Sequence, residues 1–182
     1  MPILGLIASS TRQGQSTITG AMEPIASVVV PSGGLASITF GSIPQTYTHL
    51  QIRYSGTSLY PLISSNLGAG TTGHYLYGTG ASALGYNFAP LAGGMYVSID
   101  GNAGDVSAGV IDILDFANTN KNKTFSALHG RETNTADSSI VFASGFWNST
   151  SAITSITITN NVAGSVPFAQ YSSFALYGIK GI

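Results

Sequence analysis

The stretch Tyr47-Thr48-His49-Leu50-Gln51-Ile52-Arg53-Tyr54 (47–54) decides the fold class of this chain. From Leu50 to Tyr54, apolar and polar side chains alternate residue by residue. Successive side chains of a β-strand point to opposite faces of a sheet. The alternation therefore predicts a strand with one buried face and one solvated face.

Similar runs cover most of the chain on both sides of this stretch. Helical periodicity is absent, and glycine and proline fall mainly between the runs, where turns need them. Pro31-Ser32-Gly33-Gly34 separates two runs and predicts a hairpin. About ten short strands predict an all-β fold, a jelly-roll-like antiparallel β-sandwich, although an up-and-down barrel has a similar pattern. The runs are Ile25–Val30, Leu35–Phe40, Tyr47–Tyr54, His74–Tyr77, Leu84–Phe88, Met95–Ile99, Val110–Phe116, Thr124–Leu128, Ile140–Trp147, Ile153–Thr159 and Phe168–Ile179.

Residues 1–22 differ from the rest and predict an extended N-terminal arm and linker, while residues 23–182 are expected to form a single β-sandwich domain. The arm begins with an apolar patch, and the polar stretch 9–20 follows it. Such an arm either adds an edge strand to the sandwich or inserts into a neighbouring subunit. The apolar residues assigned to this assembly arm are Ile3, Leu4, Leu6 and Ile7.

Targeting signals are not expected in this chain. No basic residue precedes the apolar patch, and the first is Arg12, so the N-terminus does not resemble a secretory signal peptide. No apolar stretch approaches the roughly 18 residues that a membrane-spanning helix needs. We therefore expect a protein that is made and folded in the cytoplasm, with no membrane partner.

Charged residues make up only 7% of the 182 residues, whereas hydrophobic residues make up 43%. Ordinary soluble domains carry roughly 25% charged residues. A surface of Ser, Thr, Asn and Gly suits a protein that packs into an assembly, although β-sandwiches in general also favour Ser and Thr. The net charge of −1, without a basic stripe, argues against a nucleic-acid partner.

Groups for catalysis are few, and no enzyme activity or cofactor is expected. The three histidines lack metal-ligand spacing, cysteine is absent, and no Gly-x-Ser-x-Gly nucleophile elbow occurs. Asp112 and Asp115 are three residues apart, so in a strand they face opposite sides and cannot flank one bond. The loop Asp100–Asp105 resembles a loose calcium loop, but Asp, Asn and Gly are equally typical of an ordinary turn.

Aromatic residues make up 10% of the chain and offer two interpretations. One is that they fill the core, which is favoured for Phe40, Phe116, Phe142, Phe146 and Phe174, together with Leu176. The other is a surface for stacking on sugars or docking on proteins. The candidates for such an exposed contact are Trp147, which precedes Asn-Ser-Thr at a strand end, and Tyr75 and Tyr77.

Four blocks of the sequence carry a resemblance to a known group of proteins: residues 1–10, 43–53, 110–121 and 171–181. Beginning with MPILGLIASS and ending with YSSFALYGIKG, the chain resembles virion structural proteins of tailed bacteriophages, common in phages of cyanobacteria and other aquatic bacteria. The resemblance covers most of the chain, but residues 55–95 match weakly. It brings no catalytic residues with it.

The resemblance implies a place on the outer surface of a phage particle and leaves two roles open. The first is capsid decoration, in which copies, expected as trimers, bind the major capsid protein or another virion protein and stabilise the shell. The second is a tail-fibre or head-fibre tip that binds a host-surface glycan. A short chain with an apolar arm and no coiled-coil shaft favours decoration. Outside virions, a free carbohydrate-binding module or a hydrolase with a sandwich fold is the remaining alternative.

Overall fold

In the computed structural model of this chain, the structure describes residues 21–68, 72–88, 94–98, 101–133, 137–161 and 166–181. All regular elements of these residues are β-strands. The strands are β1 (Met22–Val29), β2 (Ser37–Phe40), β3 (His49–Thr57), β4 (Pro61–Ser65), β5 (Thr72–Gly78), β6 (Ala83–Phe88), β7 (Met95–Tyr96), β8 (Val106–Leu114), β9 (Lys123–Glu132), β10 (Ser139–Trp147), β11 (Ile156–Asn160) and β12 (Ser173–Ile179).

The strands form two antiparallel sheets of unequal size. The large sheet has the order β1-β12-β3-β8-β9-β10-β5-β6, and the small sheet has the order β2-β11-β4-β7. In the large sheet, the last strand lies between the first and the third, because β12 pairs with both β1 and β3. The prediction of an all-β antiparallel sandwich is confirmed, and the jelly-roll description stays a prediction.

The core lies between the two sheets and explains the alternation in the opening stretch. Leu50, Ile52 and Tyr54 of β3 are buried, whereas Arg53 between them is exposed. Ile63 of β4 and Ile158 of β11 bring the apolar face of the small sheet into the same buried cluster. Burial of this apolar area is the main free energy that holds the two layers together.

The predicted hairpin around residues 31–34 is wrong. β1 belongs to the large sheet and β2 to the small sheet, so these residues carry the chain from one layer to the other. The backbone N–H of Leu35 donates to the carbonyl of Phe168, and the N–H of Phe168 donates to the carbonyl of Leu35. The backbone after the turn is therefore hydrogen-bonded without pairing with β1. Gly34 has a φ of +77°, and a Cβ there would lie 2.8 Å from the Phe168 carbonyl oxygen, so only glycine fits.

One of the expected core residues is also misplaced. Phe142 lies on the outside of the large sheet and is 54% exposed. Its neighbours Val141 and Ala143 take the buried positions, because they have the opposite phase along β10. The other expected core residues are buried, except that Phe146 is half-buried.

Candidate functional site

The outer face of the large sheet, which points away from the small sheet, carries an apolar half. The antiparallel registers align one residue from each strand in a row across the sheet. A second row, two residues further along each strand, consists mostly of small residues. The first row is Ser27, Ala175, Arg53, Val110, Leu128, Phe142, Leu76 and Gly85; the second is Val29, Ser173, Ser55, Ala108, Gly130, Ile140, Gly78 and Ala83.

Large side chains beside small ones leave a channel, which we call the apolar groove. One part, of about 640 Å³, runs from β1 across to β10, and a second part, of about 290 Å³, continues from β9 to β6. Leu128 and Ile140 line both parts. The four large apolar side chains at and beside this junction are strongly exposed: Leu76 57%, Leu128 51%, Ile140 57% and Phe142 54%.

The neighbouring row of the same face is polar, which limits the apolar groove to one half of the sheet. This row holds Tyr177, Gln51, Asp112, Ser126, Ser144, His74 and Asn87. Arg53 leans toward it: its Nε donates to Gln51 Oε1 at 2.8 Å, and its guanidinium carbon lies 5.3 Å from the centre of the Tyr177 ring. Gln51 Nε2 in turn donates to Asp112 Oδ1 at 2.7 Å.

A cluster of aromatic rings lies at the β6 edge of the large sheet, on β5 and β6, and extends to β7 of the small sheet. The Tyr75 ring centre is 5.6 Å from that of Tyr86, 5.9 Å from that of Phe88 and 6.1 Å from that of Tyr77. Phe88 contacts Tyr96 edge-on at 6.0 Å. Tyr75 and Tyr77 are half-buried against the core, whereas Tyr86 is 50% exposed. The two predicted contact residues therefore lie against the exposed ring of Tyr86.

Trp147, the third predicted contact residue, is not on the surface. It is 1% exposed, and its ring centre lies 5.6 Å from that of Phe125 in the core. It shares the buried phase of β10 with Val141 and Ala143. Its assignment as an exposed contact is wrong, because the polar residues that follow it mark the end of the strand and say nothing about the direction of its side chain.

Buried charges of the sandwich hold loops in place. Arg131 is buried, and its guanidinium Nη1 donates to Asp105 Oδ2 at 2.9 Å and to Asp137 Oδ2 at 3.4 Å. Asp105 Oδ2 also accepts the Asn102 backbone N–H at 2.9 Å. Asp105 thus closes a turn and neutralises Arg131, which favours the turn interpretation of the 100–105 loop; Asp100 lies outside the described residues.

Lys123, the first residue of β9, is buried as well. Its ammonium donates to the backbone carbonyls of Lys121 at 2.6 Å and Thr150 at 3.0 Å, and also to that of Asn118. Burial lowers the pKa of Lys123. The three hydrogen bonds tie the loop after β8 to the loop after β10.

His129 and Tyr54 contact each other in the core, near the charge of Arg131. The Tyr54 hydroxyl lies 2.8 Å from His129 Nδ1, and both residues are buried. Burial raises the pKa of the Tyr54 phenol far above its usual value, so the hydroxyl keeps its proton and shares a hydrogen bond with Nδ1. Burial, and then the charge of Arg131, lower the pKa of His129 to about 4. His129 is therefore neutral in the folded protein at pH 7.

Acid is expected to destabilise the fold through His129. Its pKa rises from about 4 when folded to 6.5 when unfolded, so the unfolded chain binds the extra proton between these values. The free energy of unfolding is expected to fall by about 2–3 kcal/mol from pH 8 to pH 4.5. Urea titrations across this range measure it. The His129→Gln variant should lose most of this slope, and an equal slope in both proteins would contradict the assignment.

Among the residues that the structure describes, no group of three or more His, Asp and Glu side chains is arranged to hold a metal ion. The same residues contain no helix that is long and apolar enough to cross a membrane. The predicted assembly-arm residues Ile3, Leu4, Leu6 and Ile7 lie outside the described residues. Neither the apolar groove nor the buried Arg131–Asp105 pair was predicted from the sequence, since the groove combines residues from eight strands and the pair joins residues 26 positions apart.

Within the described part of the chain, the apolar groove and the aromatic cluster are thus exposed features with the chemistry of a binding surface. Both present apolar area next to polar groups, as interaction sites commonly do. No protein-family model, curated protein or solved structure matches this chain, so its geometry is the basis for assigning a role.

Proposed function

We propose that this chain is a non-enzymatic structural protein of a tailed-phage particle that decorates the outer surface of the capsid. The observation that carries the proposal is the apolar groove. The largest contiguous apolar patch on a protein surface, typically a few hundred Å², is often functional and commonly a site of interaction. A sheet face with exposed Leu76, Leu128, Ile140 and Phe142 fits a protein that works in contact with neighbours.

The low charge supports the same role. With 7% charged residues, the chain has little electrostatic repulsion to oppose close packing of copies. The ionisable side chains of the interior are used in internal contacts: Arg131 with Asp105, Lys123 with carbonyl groups, and His129 with Tyr54. These groups stabilise loops and strands, which is a structural role.

Decoration proteins gain strength by multiplicity. Many copies, each held by modest contacts, stabilise a shell through avidity, and an N-terminal arm adds a contact that spans from one subunit to the next. The partners in this proposal are the major capsid protein or another virion protein, together with further copies of this chain as an expected trimer.

Deleting Met1–Ser10 is expected to abolish adsorption to capsids while the sandwich stays folded. The core described above is formed by residues between Ile25 and Leu176, so the circular dichroism spectrum and melting curve should match those of the full chain. Adsorption is measured by co-sedimentation with emptied capsids stripped of this protein. A deletion variant that melts at a much lower temperature, or that still sediments with capsids, would contradict the proposal.

Glycan adhesion at the tip of a tail fibre or head fibre is the second candidate, and the aromatic cluster favours it. Aromatic faces stack on sugar rings, and Tyr86 offers an exposed ring held by Tyr75 and Tyr77. Copy number in purified particles separates the two roles. Hundreds of copies for each particle would support decoration, whereas a few copies, with binding to host cells, would support the fibre.

A further inference from the structure

We propose that the apolar groove is the receptor for the N-terminal segment Met1–Ile7 of a neighbouring copy of this chain. The inference rests on the proposed assembly role and names the partner that the arm binds. Three features support it: the length of the groove, the chemistry of both surfaces and the place where the arm joins the sheet.

The groove and the segment have the same length. The apolar stretch from Ala175 on β12 to Leu76 on β5 crosses six neighbouring strands, or about 24 Å at a spacing of about 4.8 Å. Seven residues of extended chain, Met1–Ile7, span about 23 Å. An extended segment laid along the groove would therefore cover it from end to end.

The same dimensions argue against a dimer in which the large sheets of two copies pack face to face. With a width of five residues along β8, the apolar patch covers roughly 300 Å². A stable interface buries about 800 Å² on each partner. The patch alone is too small for such a dimer, whereas a narrow groove suits a single extended segment.

The chemistry of the two surfaces also matches. Residues 1–10 carry no charged side chain, and Ile3, Leu4, Leu6 and Ile7 supply four large apolar groups. Among the described lining residues, Arg53 is the one with a charge, and its guanidinium is turned toward Gln51 and Tyr177. A segment rich in Ile and Leu would cover Leu128 and Phe142 with apolar side chains and add no charged side chain to the groove.

The position of β1 favours a neighbouring copy over the same chain. β1 begins at Met22, paired with Ile179, and runs toward the groove, which it reaches at Ser27. The chain therefore enters the sheet about 17 Å from the groove, on the far side. The polar stretch 9–20 spans up to about 40 Å, enough to reach another copy without reversing direction.

Matched substitutions test the inference on the full-length chain. Light-scattering mass is measured for the wild type, for an arm variant (Leu4→Asp with Leu6→Asp) and for a groove variant (Leu128→Asp). We expect an oligomer for the wild type and the monomer mass for each variant alone. Leu114→Asp, an exposed leucine on the same face but outside the groove, should keep the wild-type mass.

Mixing the two variants gives the sharpest result. The arm variant has an intact groove and the groove variant has an intact arm, so the mixture should form a dimer of twice the monomer mass. A monomeric wild type, an arm variant that still associates, or a mixture that stays monomeric would each overturn the inference. If Leu128→Asp lowers the melting temperature, Leu128→Ser replaces it. The light-scattering experiment contains no capsid. If the protein failed to bind capsids in a separate assay, the proposed function would be ruled out, but an oligomer formed through the arm and the groove would still be supported.

Discussion

Replacing Arg131 with Met is expected to lower the free energy of unfolding by about 3–5 kcal/mol, since it leaves a carboxylate in the protein interior without its cation. Arg131 is 1% exposed, and the Asp105 carboxylate that it pairs with is also buried. The carboxylate would keep the Asn102 backbone N–H but lose the guanidinium. The turn that Asp105 closes would be weakened together with the end of β9.

Urea denaturation followed by the fluorescence of Trp147, the single tryptophan of the chain, measures this loss. Lys121→Met is the matched control, because Lys121 forms an ion pair with Asp115 at 2.8 Å but is 60% exposed. Exposed ion pairs contribute about 0–1 kcal/mol, so this variant should unfold almost like the wild type. Equal stability of the two variants would show that the Arg131–Asp105 pair is not a structural requirement.

Replacing Trp147 with Ala is expected to lower the free energy of unfolding by about 3–5 kcal/mol as well. The side chain is buried against Phe125 at the end of β10, and its removal leaves a cavity between the sheets. Domains of this size are stable by about 5–15 kcal/mol, so the loss is a large part of the total.

Thermal unfolding followed by circular dichroism measures this effect, since the variant has no tryptophan. Leu76→Ala is the control: it removes a large side chain that is mostly exposed and should change stability by less than about 1 kcal/mol. A Trp147→Ala protein as stable as this control would mean that Trp147 is not a core residue. Any loss of adhesion in that variant should therefore be compared with its loss of folded protein.

The alternation between Leu50 and Tyr54 predicted a strand correctly, because its two faces differ in polarity. The run from Ile140 to Trp147 is apolar on both faces, so its pattern predicted a strand but not which side is buried. Phe142 was expected in the core and Trp147 on the surface, whereas Phe142 is exposed and Trp147 is buried. A polarity pattern carries no information where both faces of a strand are apolar.

The turn at residues 31–34 shows a second limit. Pro-Ser-Gly-Gly changes the chain direction whether the next strand pairs with the previous one or joins the other sheet. The choice depends on Phe168, which is more than 130 residues away in the sequence and forms the backbone bonds with Leu35. The apolar groove could not be predicted for the same reason, since its lining is assembled from eight strands that each contribute a few residues.

The place of β12 between β1 and β3 has a consequence for synthesis of the protein. The large sheet cannot be completed until β12 has left the ribosome. Until then, the edges of β1 and β3 that later pair with β12 have no partner strand. Pairing partners so far apart in sequence slow folding, and open edges invite aggregation. A truncated translation product that lacks β12 would keep both edges open and could not complete the large sheet.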